Sequence, residues 1–139
     1  MEQKNILTQA IIGMGTNTRQ EEMMTRAKEL MENEFQVVAF SHEAYTDPIG
    51  ISSDKFLNCL ALISTSLSAD DVNRRLKAIE TACGNTSALR RKHVVRMDLD
   101  LLLYGSLRLH TADWQRPYVA EMMADLTAFC HKNDNIILL

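Results

Sequence analysis

The apolar and polar positions of the chain repeat with two different periods, and the changes between them divide the chain into strands and helices. Four largely apolar segments of strand length are predicted to form strands. Three segments carry apolar residues at helical spacing, and the second of them has the clearest apolar face. The predicted strands span residues 7–12, 35–40, 56–65 and 97–104, and the predicted helices begin near Thr18, Ser68 and Pro117.

Short polar signals indicate where these elements begin and end. Gly13-Met14-Gly15 predicts a flexible turn after the first strand, and Thr18-Arg19-Gln20-Glu21 has the form of a capping box at a helix start. Gly84 is well placed to end the second helix in a left-handed conformation. Two polar segments, residues 46–55 and 85–95, are predicted to be long loops.

The resulting order, β-α-β-β-α-β-α, predicts the fold. Its first six elements form a ferredoxin-like βαββαβ core, an antiparallel sheet with helices on one face, and a C-terminal helix follows. The opposite face of the sheet is expected to be free for chemistry or to be covered by loops. Because the chain has no internal repeat and no linker, residues 1–139 are predicted to form one α+β domain.

Composition and charge exclude several classes of function. The net charge of −3 and the aromatic content of 6% argue against a nucleic-acid-binding sheet, which needs a basic surface and stacked aromatics. No apolar run is long enough to span a membrane, and the first five residues do not resemble a signal peptide. Three widely spaced cysteines fit neither a disulfide framework nor a metal site. We therefore expect a cytoplasmic protein, with neither nucleic acid nor membrane as partner, and a monomer rather than an oligomer.

Two aspartates on the fourth predicted strand are the clearest chemical signal. Asp98 and Asp100 are two positions apart, so both side chains point to one face, with Cα atoms roughly 6.5 to 7 Å apart. Two such carboxylates repel each other, and Mg²⁺ relieves the repulsion because it prefers carboxylate oxygens, water and phosphates as ligands. A half-solvated strand with two exposed acids explains the same spacing about equally well. The apolar residues of this strand are predicted to face the core: Met97, Leu99, Leu101 and Leu103.

A basic segment shortly before this strand, Arg90-Arg91-Lys92-His93, favours an interpretation with metal and phosphate. Arginine and lysine side chains bind phosphate oxygens through charge-assisted hydrogen bonds. Taken alone, such a run is more typical of a solvated surface, so it supports the interpretation only together with the aspartates.

Together with several shorter motifs, these residues resemble the family of 6-hydroxymethyl-7,8-dihydropterin pyrophosphokinases of folate biosynthesis. The most specific stretch, residues 96–102, is similar to the family's Arg-x-x-Asp-Leu-Asp-Ile-Leu, and the resemblance covers about residues 7–126. The other matching segments are Ile12-Gly13-Met14-Gly15-Thr16-Asn17, Tyr45-Thr46-Asp47-Pro48-Ile49-Gly50, Phe56-Leu57-Asn58, Ile79-Glu80 with Gly84, Tyr104-Gly105, and His110 with Arg116 and Tyr118.

The resemblance implies transfer of a pyrophosphoryl group from ATP, as co-substrate, to the hydroxymethyl group of a reduced pterin, with two Mg²⁺ ions. The pterin ring would lie between two aromatic side chains, and residues 46–55 and 85–95 would act as lids that exclude water. The implied site residues fall into three groups: catalytic Asp98, Asp100 and Arg96, with both aspartates as metal ligands; pterin-binding Thr46, Asp47, Ile49, Phe56, Asn58 and Tyr118; and ATP-binding Glu80, Lys92, His110 and Arg116.

The sequence departs from the family pattern mainly on the side expected to hold ATP. Asn85 and Ser87 stand where the family has an arginine and a basic residue, and Arg96 is one residue closer to Asp98 than expected. The segment before His110 is also shorter than usual. The chain is therefore identified as a divergent member of the family.

Three interpretations stay open after these departures. The first is an active pyrophosphokinase with a trimmed ATP site, in which one of the basic residues 90–92 supplies the missing cation. The second is a weakened or inactive paralogue that binds a pterin or a nucleotide. The third, a ferredoxin-like regulatory or interaction domain, does not explain the aligned Phe56, Asn58, His110 and Arg116.

Overall fold

A computed structural model describes residues 6–50 and 53–133, which form a six-stranded antiparallel sheet with helices on both faces. Residues 1–5, residues 51–52 of the first predicted loop and residues 134–139 lie outside the described part. The strands are β1 (Thr8–Thr16), β2 (Gln36–Phe40), β3 (Ala44–Thr46), β4 (Phe56–Thr65), β5 (Asp98–Tyr104) and β6 (Leu107–Arg108). The helices are α1 (Gln20–Glu34), α2 (Ala69–Ala82), α3 (Ser87–Arg91) and α4 (Pro117–Lys132), with a 3-10 turn at Asp113–Gln115.

The order of strands in the sheet confirms the ferredoxin-like core. β1 lies between β4 and β5, and β2 pairs with the other side of β4, so the sequence β2-β4-β1-β5 is the one that a split βαβ arrangement requires. β3 pairs with the first residues of β4, and β6 forms a short hairpin with the end of β5. Among the described residues, no helix is both long and apolar enough to span a membrane.

The first face of the sheet packs against α1 and α2. Both helices place apolar residues on the side that faces the sheet, as their spacing predicts. Burial of one such side chain stabilises the fold by about 1.5–3 kcal/mol. The buried helical residues are Met23, Met24, Ala27 and Met31 of α1 and Val72, Leu76 and Ile79 of α2.

A second apolar cluster lies on the opposite face, beneath α4. The expectation that this face would be free or covered by loops is therefore wrong for the part that α4 covers. The helix can bind here because β4 is apolar on both faces, as is typical of strands buried on both sides. The buried members of this cluster are Ile11, Leu60, Leu62, Leu102, Leu103, Val119, Met122, Leu126 and Cys130.

A β-bulge in β5 changes which face its last leucines occupy. Ile12 of β1 pairs with Leu101, but Ile11 pairs with Leu103, which leaves Leu102 as the extra residue. Leu101 packs in the core beneath α1 and α2, whereas Leu102 and Leu103 both pack beneath α4. The prediction that Leu103 faces the first core is wrong, because one extra residue shifts the alternation of faces.

Two predicted boundaries near the first helix are also wrong. Gly13-Met14-Gly15 does not form a turn, since β1 continues through these residues to Thr16. The capping box is not formed, because α1 begins after Arg19, which has a left-handed φ of 44° and whose side chain makes no capping hydrogen bond.

The start of the second loop is fixed to β5 by a side-chain amide. Gly84 ends α2 with a φ of 94°, as predicted, and Asn85 follows it. The Asn85 Oδ1 accepts the N–H groups of Arg96 and Met97 at 2.9 and 3.2 Å, and its Nδ2 donates to the Met97 carbonyl. The residue that stands in place of an arginine is therefore engaged with the backbone that leads into β5.

The end of the same loop is fixed to β1 by the buried Asn17. Its Oδ1 accepts the Val95 N–H at 2.7 Å, and its Nδ2 donates to the His93 carbonyl at 2.8 Å. The segment between these two anchors contains the short helix α3, although the sequence predicts a loop over residues 85–95. Because both ends are held, α3 has a defined position beside β5.

Helix α4 is bonded to the connection between β2 and β3. The Asp125 Oδ2 accepts the His42 backbone N–H at 2.7 Å and lies 3.3 Å from the His42 Nδ1. The His42 N–H is the main cause of a lowered pKa of the Asp125 carboxyl. This contact holds α4 beside the chain that leads into β3.

We expect Leu126→Ala to reduce the free energy of unfolding by about 2–5 kcal/mol, because it removes a buried side chain of the α4 cluster and leaves a cavity. Urea unfolding followed by circular dichroism measures this change. Lys132→Ala, an exposed position on the same helix, is the control and should change the value by no more than about 0.5 kcal/mol. Equal stability of the two variants would contradict the packing of α4 on the sheet.

Candidate active site

Two cavities meet at the start of β5 and share the side chains of Asp98 and Asp100. The first has a volume of about 620 Å³ and is lined by β1, β3 and the starts of β4 and α4. The second has a volume of about 510 Å³ and lies between the last turns of α2, the start of α3 and His110. A group held at the aspartates would therefore contact the contents of both cavities.

Two glycines of β1 leave room for the first cavity. Gly15 pairs with Asn58 of β4 on one side and Asp98 of β5 on the other, and Gly13 pairs with Asp100. Directly paired residues present their side chains on the same face, so the glycines lie beside the aspartates. A Cβ atom on Gly15 would lie 3.3 Å from the Asn58 Oδ1. Glycine inside a strand is typical of such close approaches.

All six residues predicted to bind the pterin line the first cavity: Thr46, Asp47, Ile49, Phe56, Asn58 and Tyr118. Asn58 holds two strands together here, because its Nδ2 donates to the Thr46 Oγ1 at 2.7 Å and to the carbonyls of Ala44 and Phe56 at 3.3 Å. Burial raises the pKa of the Tyr118 hydroxyl, with Arg116 acting in the opposite direction. The phenol is thus neutral at physiological pH.

The residues predicted to bind ATP are divided between the two cavities. Glu80 and His110 line the second cavity, Arg116 lines the first, and Lys92 lines neither. The Glu80 Oε2 accepts the Leu99 N–H at 2.8 Å. Burial raises the pKa of Glu80, and this hydrogen bond opposes the shift.

The carboxylates between the cavities carry an excess of negative charge. Burial, followed by the neighbouring Asp98 carboxylate, raises the pKa of Asp100. The Arg90 Nη2 lies 3.2 Å from the Asp98 Oδ1 and 3.9 Å from the Glu80 Oε1. A single guanidinium therefore faces a cluster of three acids that line the second cavity.

The donor set at the two aspartates fits Mg²⁺. Both carboxylates lie on one face, and the pKa of Asp100 is raised partly by repulsion that a cation would relieve. No group of three or more His, Cys, Asp or Glu side chains in the described residues could hold a metal by itself. Mg²⁺ does not require such a group, since it is usually bound by one or two carboxylates with water and phosphate oxygens.

Arg96, the third predicted catalytic residue, lines neither cavity. Its side chain crosses the end of α2, where a Cβ atom on Gly84 would be 2.9 Å from the Arg96 Cδ. A glycine suits this position, because it has no Cβ atom and so leaves room for the Arg96 side chain. Within the described part of the chain, Arg90 contacts the Asp98 carboxylate instead.

Sequence reasoning did not single out Asp113, which lines the first cavity and lies 3.2 Å from the Arg116 guanidinium. Asp113 sits in the 3-10 turn, which Trp114 fixes by donating its Nε1–H to the carbonyls of Leu102 and Leu109. No motif marks this aspartate. The alternate glycines of β1 did carry a signal, because they fall inside an otherwise strand-like segment.

An α+β protein with a ferredoxin-like sheet and two cavities that share a pair of carboxylates has an architecture suited to binding small molecules. The family model for 7,8-dihydro-6-hydroxymethylpterin-pyrophosphokinase (HPPK) matches residues 11–128. The chain belongs to this family, which confirms the resemblance recognised in the sequence. A comparison with curated proteins gave no match.

We expect Asp100→Asn to stabilise the metal-free protein at neutral pH. The fold raises the Asp100 pKa above its ordinary value of 3.8. The contribution of Asp100 to the free energy of unfolding is therefore most favourable below about pH 3.8, where the carboxyl is protonated in both states. This contribution is lost as the pH rises through the pKa of the folded state. The asparagine variant has no titrating group at this position and shows no such loss. The difference in the free energy of unfolding between the variant and the wild type should therefore grow with pH.

Urea unfolding in EDTA at several pH values between about 3.5 and 7 measures this advantage. Asp70→Asn, at an exposed position at the start of α2, is the control. Mg²⁺ should stabilise the wild type and have little effect on Asp100→Asn. A difference between the two proteins that does not change with pH would show that Asp100 is not the titrating group.

Proposed function

We propose that this protein, as a cytoplasmic monomer, transfers the pyrophosphoryl group of ATP to the hydroxymethyl group of 6-hydroxymethyl-7,8-dihydropterin in folate biosynthesis. The observation that carries the proposal is that the two cavities share Asp98 and Asp100. With the pterin in the first cavity and ATP in the second, the acceptor hydroxyl and the phosphate chain would meet at these carboxylates. Positioning and charge neutralisation contribute most of the catalysis in phosphoryl transfer.

The first cavity has the groups that a flat, polar heterocycle requires. Phe56 and Tyr118 approach from β4 and α4, and offset stacking on such rings is favourable. The Nδ2 of Asn58 is engaged with Thr46, while its Oδ1 accepts no hydrogen bond from any described residue and is not sealed from solvent. That oxygen is therefore available to accept a hydrogen bond from an N–H group of the pterin.

Asp98 and Asp100 would hold Mg²⁺, which when bound neutralises phosphate charge and orients the phosphate chain. The protein's own contribution is to keep both carboxylates on one face, beside the glycines of β1. Leu99 lies between them in sequence and is buried on the other side of β5. This burial prevents the strand from rotating and so fixes the direction of both acids.

In the second cavity, Glu80 and His110 would contact the nucleotide, and Arg116 would reach the reaction centre from the first cavity. Glu80 is already positioned by the Leu99 N–H. His110 has a left-handed φ of 51°, a conformation that is uncommon for non-glycine residues and is found more often at functional sites. This conformation is consistent with a functional role for the histidine.

One observation favours a second candidate, a paralogue that binds a pterin or a nucleotide without efficient transfer. Asn85 stands where the family has an arginine, and its amide is bonded to the backbone of Arg96 and Met97. It therefore cannot serve as a phosphate ligand. If no other cation compensates, nucleotide binding would be weakened while the pterin site stays intact.

Asp98→Ala and Asp100→Ala should each lower the rate of pterin-dependent AMP release by at least about 100-fold, because each removes charge stabilisation at the reaction centre. A coupled AMP-release assay with ATP, Mg²⁺ and the pterin measures the rate, and EDTA should abolish it. Circular dichroism should show that both variants keep the fold, and Asp70→Ala should retain full activity.

Unchanged activity in both aspartate variants would overturn the assignment of the metal ligands. A wild type that binds the pterin in calorimetry but releases no AMP would instead support the paralogue.

A further inference from the structure

The position of Arg90 is determined by the anchors on either side of it. Its helix, α3, is capped by Thr86, the residue before Ser87, whose Oγ1 accepts the Leu89 N–H at 3.1 Å. The bonds of Asn85 and Asn17 hold the chain before and after this helix. Both Arg90 and the neighbouring Arg91 are exposed, but Arg90 lines the second cavity and contacts the acids there, whereas Arg91 lines neither cavity.

The other candidate cations are less well placed. The Arg96 side chain lies against Gly84, and Lys92 lines neither cavity. Lys77 lines the second cavity from an exposed position on α2, but within the described residues it forms no ion pair with either aspartate. Arg90 is in direct contact with Asp98 at 3.2 Å.

We infer that Arg90 is a phosphate-binding residue of this protein, which pairs with Asp98 when no nucleotide is bound and contacts the phosphate chain when Mg²⁺ and a nucleotide are present. The inference rests on the proposed function for the identity of the nucleotide. A guanidinium binds a carboxylate and a phosphate through the same planar pair of N–H donors. One side chain can therefore exchange the first partner for the second.

The exchange follows from the competition for Asp98. Mg²⁺ and the Arg90 guanidinium both carry positive charge and would both lie against the Asp98 carboxylate, so binding of one disfavours binding of the other. Once Mg²⁺ occupies the carboxylate, the remaining ion-pair partner of Arg90 among the described residues is Glu80 at 3.9 Å. The phosphate oxygens of a nucleotide in the second cavity would be a stronger partner for the Arg90 guanidinium than Glu80 is.

This competition gives two effects of opposite sign in the same variant. Arg90→Gln removes a phosphate ligand, so binding of the magnesium–nucleotide complex should weaken by about 10- to 100-fold, as expected for a charge-assisted hydrogen bond. The same variant frees Asp98, so binding of Mg²⁺ alone should tighten by about two- to fivefold, as expected for a partly exposed ion pair. Loss of a purely structural arginine would not tighten either ligand.

Isothermal titration calorimetry on the full chain tests both effects. The probes are Mg²⁺ alone and the magnesium complex of the ATP analogue in which a methylene group bridges the α and β phosphorus atoms, so that no transfer occurs. Arg91→Gln, the neighbouring exposed arginine, is the matched control and should change neither affinity. Arg90→Lys, which keeps the charge but loses the planar pair of donors, should bind the analogue with intermediate affinity.

The inference is overturned if Arg90→Gln binds the analogue as tightly as the wild type, or if Arg91→Gln weakens the analogue equally. It is also overturned if Arg90→Gln binds Mg²⁺ alone more weakly than the wild type. If the glutamine variant does not fold, wild-type affinity of Arg90→Lys for the analogue has the same meaning.

These readouts do not depend on turnover. Weaker analogue binding and tighter Mg²⁺ binding in Arg90→Gln, with no AMP released by the wild type, would support the role of Arg90 and contradict the proposed function. AMP release by the wild type, with unchanged binding in Arg90→Gln, would support the proposed function and contradict the role of Arg90.

Discussion

The register in which β1 pairs with β4 and β5 is the constraint on which the rest of the site depends. Because β1 is central, this register places Gly15 between Asn58 on one strand and Asp98 on the other, and Gly13 beside Asp100. Asn58 and the two aspartates therefore have a fixed relation to each other across Gly13 and Gly15, which have no side chains. A slip of one residue in β5 would turn the aspartates into the core and expose buried leucines. Each leucine contributes about 1.5–3 kcal/mol by its burial, so the hydrophobic core maintains the geometry of the polar site.

The acidic side chains of the site are held in an electrostatically unfavourable arrangement. Burial raises the pKa of both Asp100 and Glu80, and neighbouring acids add to each shift. Arg90 offsets part of this cost through a partly exposed ion pair with Asp98. A cluster of acids held together in this way is poorly suited to stability and well suited to cations, a pattern that is common at functional sites. The side-chain amides of Asn17 and Asn85 hold the two ends of the second loop, and in this way they place α3 beside β5.

The fold could be predicted from the sequence because its signals are local and periodic. Alternation, apolar helix faces and the Gly84 helix end gave the order of elements and the ferredoxin-like core. Features that depend on tertiary pairing could not be predicted. The glycines of β1 have the chemistry of a turn, and pairing on both sides overrides it. The bulge at Leu102 is a property of two strands together, and the apolar face of α4 does not specify which side of the sheet it covers. For the site, spacing predicted that Asp98 and Asp100 share one face. The path of the second loop decides that Arg90 contacts Asp98, and that path is fixed by the hydrogen bonds of the Asn17 and Asn85 amides.

The central claim is that the two cavities hold an acceptor and a nucleotide on either side of one carboxylate pair. The most direct test is to identify the products of the wild-type protein with ATP, Mg²⁺ and 6-hydroxymethyl-7,8-dihydropterin by phosphorus NMR and mass spectrometry. We expect one AMP for every pterin that gains a diphosphate, with no ADP. Formation of ADP with a singly phosphorylated pterin, or hydrolysis of ATP without any change in the pterin, would contradict it.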